Sequence, residues 1–553
     1  MPQLVFLGAL TGVATSGVIL AFRALVDGAQ WQLGAADGNF EALDLASRIG
    51  LIAVGAILLA VLLQRYRPSA RRVGVVHVME RLGLHQGALP LKNAVIQFFG
   101  GAIALVTGQS GGREGPAIHL GAATASLLGK AARLPNNSVR TLVACGTAAA
   151  IASSFNTPIA GVIFAMEVVM MEYTIASFLP VIIAAVSATL ITIFAYGAEP
   201  AFNVAPSHMH STLELLYLLL AGFLIGCLAA GYIQLIQAFA RIRWQFWSRM
   251  LLAGTLTAGF AAFLPQIMGV GYDTVNEVMG AQLPVLLLLA LLFAKAITSA
   301  ASVGLGMPVG LIGPTLFMGA AVGGTFASVL ISWQGADISV GFYVMLGMCA
   351  MMAAVLQAPL AALMAVLEMT GNTNLILPAM LVIAVATLVS GQLFRQSSVY
   401  ITTLNTLGLQ YPPNPVTLHL QRVGVTAIME RSYVRLPDEI TNARAQEVIA
   451  QAPKWVLIED ELREVRALLN PADLAAFLTG RGAEEDTIRL LQIPGQRMDV
   501  TSISDQATVA QTQERMHKAQ VEACCVTRTT APMIAPVIGV VMQSHIDNYR
   551  NTA

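Results

Sequence analysis

Residues Gly108-Gln109-Ser110-Gly111-Gly112-Arg113-Glu114-Gly115-Pro116 place a charged pair inside a glycine-rich break between two apolar runs. Glycine has no side chain and accepts unusual backbone angles, so the main chain there can come close to a ligand. Pro116 suits the first turn of a following helix. The first N–H groups of such a helix lack partners within it and carry partial positive charge, which makes an anion site. Glu114, at the same helix start, can fill that site as a tethered carboxylate and give it up when protonated. An interfacial loop fits the spacing equally well: Arg113 and Glu114 would then sit among lipid headgroups or pair with each other. An ionisable residue within an apolar body is a functional candidate by default.

The body around this break is apolar throughout. The 553 residues are 56% hydrophobic and 11% charged, with formal net charge zero and mean hydropathy +0.69. Soluble domains carry about 25% charged residues, so an ordinary soluble enzyme is excluded. The charge balance gives no reason to expect nucleic acid as a partner. Residues 1–420 hold 31 of the charged side chains and residues 421–553 the other 31. The chain therefore reads as a membrane body followed by a tail of ordinary soluble composition. At about 20 residues per crossing, the body has room for ten or more helices.

Apolar segments recur from Leu4–Leu25 to Leu375–Leu393, and several, such as Ala94–Val106 and Thr141–Ala152, are too short to cross upright. Many end at Gly or Pro, as expected of helices that stop midway through the membrane. The first stretch lacks a basic leader and runs on into Phe22 and Leu25, so it reads as a membrane helix rather than a cleaved signal. Basic clusters at Arg65, Arg67, Arg71 and Arg72, at Lys130, Arg133 and Arg140, and at Arg241, Arg243 and Arg249 are of the kind that marks cytoplasmic ends. The five cysteines form no C-x-x-C and read as reduced, without a disulfide frame or metal site. No His/Cys metal set or nucleophile–base pair supports an enzyme.

The body repeats itself. Gly115-Pro116 through Gly121 matches Gly313-Pro314 through Gly319, and Pro158…Glu167 matches Pro359…Glu368. Repeated halves with interrupted helices place a binding site near mid-membrane, where the halves meet. Gly304–Pro314, uncharged, is the counterpart of the glycine-rich break and offers a second helix start aimed at the same anion. Beyond Tyr400 the composition changes. Tyr411-Pro412-Pro413-Asn414-Pro415 reads as a rigid linker. Residues 426–480 and 494–549 each read as helix, strand and helix, with Trp455–Ile458 and Val537–Val541 as buried strands.

Taken together, Gly112-Arg-Glu-Gly-Pro116, Phe155-Asn-Thr-Pro-Ile-Ala-Gly161, Gly310-Leu-Ile-Gly-Pro314, Glu368-Met-Thr-Gly-Asn372 and Ser398-Val-Tyr400 resemble the CLC family of chloride channels and chloride/proton exchangers. The resemblance spans residues 68–405. It implies an all-α polytopic fold of two inverted-topology repeats with broken helices, and a small C-terminal cytoplasmic α/β domain. It implies a pore domain over 1–405, a linker over 406–425 and a CBS-like pair over 426–553. It implies one anion pore in each subunit of a homodimer in the plasma membrane, with chloride as substrate and no required cofactor. By resemblance, Glu114 is the gating glutamate, which can carry a proton. Gly112, Arg113 and Gly115 surround the anion, Leu311 and Ile312 supply N–H groups, and Tyr400 supplies a hydroxyl.

The sequence departs from the family pattern at several points. Val73, with Gly74, stands where the family has a serine whose hydroxyl meets the anion; one donor fewer weakens binding by about 1–3 kcal/mol. Val76 replaces a proline there. Val168 stands at the inner proton-relay position, which favours passive, channel-type passage over proton exchange. Ile312 replaces a phenylalanine but keeps its N–H. In the tail, Asn470-Pro-Ala-Asp473 falls where CBS modules have T-x-x-D, whose Asp binds a nucleotide ribose, and the second module has His545 instead. The tail is expected chiefly to serve dimerisation and gating control, with nucleotide binding at Asp473 left open. His77 and His119 lie near the pathway and read as structural. A non-transporting membrane sensor and a cation transporter are the rival readings from other classes.

Overall fold

A computed structural model describes the chain except for residues 1, 199–201, 203–213, 281–282, 335–338, 410–419, 422, 461–463, 481–485, 496, 529–535 and 553. It divides into two compact units. One comprises residues 1–132 and 139–412, the other residues 133–138 and 413–553. The expected proline linker, 411–415, lies outside the described residues.

The larger unit is helical. Its first half runs α1 (Pro2–Gln32), α2 (Leu45–Gln64), α3 (Gly74–Leu84), α4 (Leu91–Val106), α5 (Glu114–Ala131), α6 (Asn136–Phe155), α7 (Pro158–Phe164) and α8 (Ile175–Tyr196). The second half runs α9 (Glu214–Ala240), α10 (Phe246–Ala261), α11 (Tyr272–Gly280), α12 (Val285–Gly304), α13 (Ile312–Gln334), α14 (Val340–Leu356), α15 (Pro359–Thr370) and α16 (Ile376–Leu388). α17 (Val399–Thr406) follows. The repeat read from two short matches thus extends along the whole unit, each helix of the first half having its counterpart in the second.

Helix starts and stops follow local chemistry. α5 and α13 both open on a glycine-rich turn and carry proline in the third helical position, Pro116 and Pro314, where a missing N–H costs nothing. Gly108 and Gly306, equivalent residues ahead of those turns, both take positive φ (70° and 94°), a region that glycine enters without strain. Thr141–Ala152 is only part of a 20-residue helix, because Asn136, Ser138 and Arg140 at its start hid its length from the hydropathy. Eight helices are long and apolar enough to cross a membrane among the described residues, and α4, α7, α14 and α15 are shorter apolar pieces.

α6 and α14 form the interior: residues 341–356 of α14 are all buried. Two glycine crossings make this packing possible. A Cβ on Gly121 of α5 would lie 2.3 Å from the Gly146 carbonyl oxygen of α6, and one on Gly146 2.1 Å from that of Gly121. In the second half Gly319 and Gly347 repeat the arrangement at 2.4 and 2.2 Å. Small residues let helix backbones touch where no water drives them together. The outer helices leave apolar side chains exposed, such as Phe194 of α8 and Leu377 of α16, as a lipid-facing surface requires. A core cluster joins α2 and α4 to their counterparts α10 and α12.

The smaller unit is built on a six-stranded sheet. Its strands are β1 (Tyr433–Pro437), β2 (Glu439–Thr441), β3 (Trp455–Glu459), β4 (Val465–Leu469), β5 (Thr487–Arg489), β6 (Arg497–Ser504), β7 (Ala523–Thr527) and β8 (Val537–Met542). The order is β1-β3-β4-β6-β7-β8, with β2 and β5 paired apart. β1–β3 and β6–β7 are parallel, and β3–β4, β4–β6 and β7–β8 antiparallel. Glu430, ahead of β1, exchanges two hydrogen bonds with Val540 of β8 (2.8 and 2.9 Å), so the segment leading into β1 lies beside the far edge strand. Helices α18 (Asn442–Ala450), α19 (Pro471–Gly480), α20 (Val509–Ala519) and α21 (Gln543–Thr552) accompany the strands. This corrects the helix–strand–helix reading of 426–480 and 494–549: each module holds several short strands. Runs such as Val465–Leu469, with Arg466 in second place, are too brief to show a clear period of two.

Candidate anion site at the junction of the two halves

The two glycine-rich turns meet face to face. The Gly112 N–H donates to the Gly310 carbonyl and the Gly310 N–H to the Gly112 carbonyl, both at 2.7 Å. Gly112 and Gly310 are repeat equivalents, 198 positions apart. A residue paired with its own counterpart marks a local two-fold axis, so the halves join on that axis at this bridge. A Cβ on Gly310 would fall 2.5 Å from the Gly115 nitrogen; bare backbone is required on both sides.

Glu114 lies beside the bridge and is 1% exposed. Its Oε2 accepts the Gly313 N–H at 3.2 Å, and its Oε1 accepts the Tyr272 hydroxyl at 2.6 Å. The carboxylate therefore sits on the start of α13, in the other half, on N–H groups that a helix leaves without internal partners. Burying a carboxylate is costly unless donors replace water, and these two do so. Arg113 does not pair with it. Its Nη2 donates to the Ser154 carbonyl at 3.4 Å, and its guanidinium carbon lies 5.6 Å from the centre of the Tyr272 ring.

Leu311 and Ile312 are buried at the opening of α13, and the Leu311 carbonyl accepts the Thr315 N–H. Gly115 packs on Gly310, and a Cβ on Gly112 would lie 2.0 Å from Glu114 Oε2. Tyr400, buried near the start of α17, is within electrostatic reach of Glu114, and α17 packs on α3. Val73 precedes α3 and offers no side-chain cap. The Gly74 N–H is already taken, by Gln97 Oε1 at 2.8 Å. Val168 is buried in a π-helical continuation of α7, Ala165–Met170, a bulge type frequent at functional sites. His77 and His119 form a buried pair, Nδ1 to Nε2 at 2.8 Å.

Several residues escaped sequence reasoning. Gln97 of α4 also donates to the Pro308 carbonyl at 3.0 Å, bracing one turn against the other. Its repeat equivalent is Lys295 of α12, fully buried, whose Nζ donates to the Ile267 and Gly269 carbonyls at 3.0 and 2.9 Å. A lone polar residue inside an otherwise apolar run was the available signal for both. Glu167 accepts the Leu360 and Ala361 N–H groups at the start of α15, and Glu368 those of Ile159 and Ala160 at the start of α7. Each half's glutamate caps a helix of the other half. In the smaller unit Asp473 packs against Gly495 in the first turn of α19, and burial lowers the pKa of His545 below its usual value.

Residues 55–391 match the family model described as voltage gated chloride channel. The chain belongs to this family, the CLC proteins. It is 33% identical over 389 residues to a putative chloride channel protein ClcB-like of Ralstonia nicotianae, covering 67% of this chain and 90% of that one. It is 29% identical over 348 residues to the H(+)/Cl(-) exchange transporter ClcA of Vibrio parahaemolyticus, covering 60% and 74%. Among solved structures, a slow cyanobacterial Cl−/H+ antiporter superposes with a TM-score of 0.66 at 21% identity, over 74% of this chain and all of that one. A eukaryotic CLC transporter superposes at 0.63 and 18% identity, over 98% of both chains. Those two likenesses concern the fold, which is the polytopic helical fold expected from the sequence, followed by a strand-containing domain compatible with a CBS pair. The chain is a multi-pass membrane protein of a family that transports chloride.

Proposed function

We propose that each subunit of a homodimer passes chloride or a similar small anion through its own pore, with Glu114 as the gate. The observation that carries this is the Glu114 carboxylate on the Gly313 N–H, beside the Gly112–Gly310 bridge. A negative oxygen held on a helix start occupies the place a halide would take. Protonation removes the charge that competes with the anion, and the seat opens. Leu311 and Ile312 N–H groups and the Tyr400 hydroxyl complete the seat. Val73 contributes no hydroxyl, and the Gly74 N–H is spent on Gln97. The smaller unit is assigned to the cytoplasmic side of the plasma membrane, where it serves dimer contact and gating control.

Passage is passive or weakly proton-coupled on this reading, because Val168 cannot relay a proton and Glu167 is committed to capping α15. Obligatory chloride/proton exchange is the second reading, favoured by the exchange activity in the name of the Vibrio relative. Reversal potentials in proteoliposomes across imposed chloride and pH gradients separate the two. A potential that follows the chloride gradient alone supports passive passage, and uphill proton movement driven by chloride supports exchange. A chain that carries no chloride in either arrangement rejects both.

A further inference from the structure

We propose that Tyr272 is the positioning residue of the gate: its hydroxyl holds the seated Glu114 carboxylate and sets how acidic the surroundings must be before the seat opens. This rests on the reading of Glu114 as the gate. The phenol donates to Oε1 at 2.6 Å while the Gly313 N–H donates to Oε2 at 3.2 Å. Both oxygens are thus engaged, and the shorter bond is the phenolic one.

The ring is fixed in place. It stands edge-on to Phe202 at 5.8 Å between centroids and tilted against Phe155 at 6.3 Å, with the Arg113 guanidinium over it at 5.6 Å. Tyr272 opens α11, as Gly74 opens α3 at the equivalent point of the first half. One half presents bare backbone there, and the other a hydroxyl. A donor to a charged acceptor is stronger than one to a neutral acceptor, so Tyr272 favours the seated, ionised state. Lys295 on α12 and Tyr400 on α17 also act on Glu114, and Arg113, on the same turn as Glu114, acts on Tyr272. Asp273, next to Tyr272, acts on Lys295. His119, on the same helix as Glu114, is paired with His77.

The test is chloride efflux from proteoliposomes as a function of pH, using the full-length chain. Tyr272→Phe keeps the ring and its packing. It is expected to raise the pH of half-maximal flux by about one unit, since the ionised seat loses a charge-assisted donor. Placed on Glu114→Gln, it is expected to change neither the flux nor its flat pH profile. Incorporation of 3-fluorotyrosine at position 272, a near-isosteric but more acidic donor, is expected to move the midpoint the other way, and it serves if the Phe variant does not fold. An unmoved midpoint in both replacements overturns the proposal. So does a loss of flux by the same factor in the native and Glu114→Gln backgrounds, which marks a merely structural role. If Glu114→Gln by itself leaves the pH response native, the gate assignment fails instead.

Discussion

The two halves of the membrane unit share a helix order, their glycine crossings and their cross-capping glutamates, yet they differ at the axis where they touch. Glu114 in the first half faces Ile312 in the equivalent position of the second. Gly74 is matched by Tyr272, and Gln97 by Lys295. All three differences lie at or beside the Gly112–Gly310 bridge. Symmetry builds the scaffold, and departure from it puts a single carboxylate, that of Glu114, at the junction. A perfectly symmetric pair of turns would bring two carboxylates together on the axis, where like charges repel.

The largest break in this comparison is Glu114→Gln. The uncharged amide mimics the protonated state, so chloride flux in liposomes is expected to rise tenfold or more at neutral pH and to lose its increase on acidification. Flux and pH response like those of the native chain would remove Glu114 from the gate. Next in size is the contrast of Gln97→Met with Lys295→Met. Gln97→Met takes the partner from the Gly74 N–H and the Pro308 carbonyl, and Lys295→Met takes it from the Ile267 carbonyl, while the Gly269 carbonyl keeps the Gly111 N–H; each loss costs about 1–3 kcal/mol. The lysine change also removes the buried amine that lies within electrostatic reach of Glu114. Both are expected to lower thermal stability in detergent, and only Lys295→Met to weaken anion binding. Equal losses of affinity would erase this difference between the halves.

Smaller still is Val73→Ser, which returns a hydroxyl to the first turn. Chloride affinity by calorimetry is expected to tighten by about fivefold, the low end of what one added donor contributes. No change would place Val73 outside the pathway. Smallest are Glu167→Gln and Glu368→Gln. Each keeps an acceptor oxygen but loses the charge facing a helix start, worth about 0.3–1 kcal/mol. Because the caps are equivalent, the two variants are expected to lower the melting temperature alike; a large disparity would show that the capping symmetry is not energetic.

Much of this was legible from residues alone. Gly112–Pro116 and its uncharged counterpart announced the two helix starts that meet at the bridge, and the Pro158 and Pro359 matches announced the repeat. The polar braces were not legible, because Gln97 and Lys295 each stand alone in an apolar run and reveal their purpose only once the turns they hold come together. Tyr272 was hidden for a related reason: nothing near it in the chain marks it, and its partner is 158 positions away. Gly146 and Gly347 passed as small residues in alanine-rich helices until their carbonyl contacts appeared. In the smaller unit, brief strands mixed with charge left the hydrophobic period too short to read.

The reciprocal caps have a consequence for biosynthesis. Glu167 finds its N–H partners on residues made about 200 positions later, and α7 receives its cap only from Glu368. At roughly 5–20 residues per second of translation, the first half spends about ten to forty seconds in the bilayer with an acidic side chain and a helix start both unmatched. The two caps therefore close late and together, when the second half has been made and meets the first.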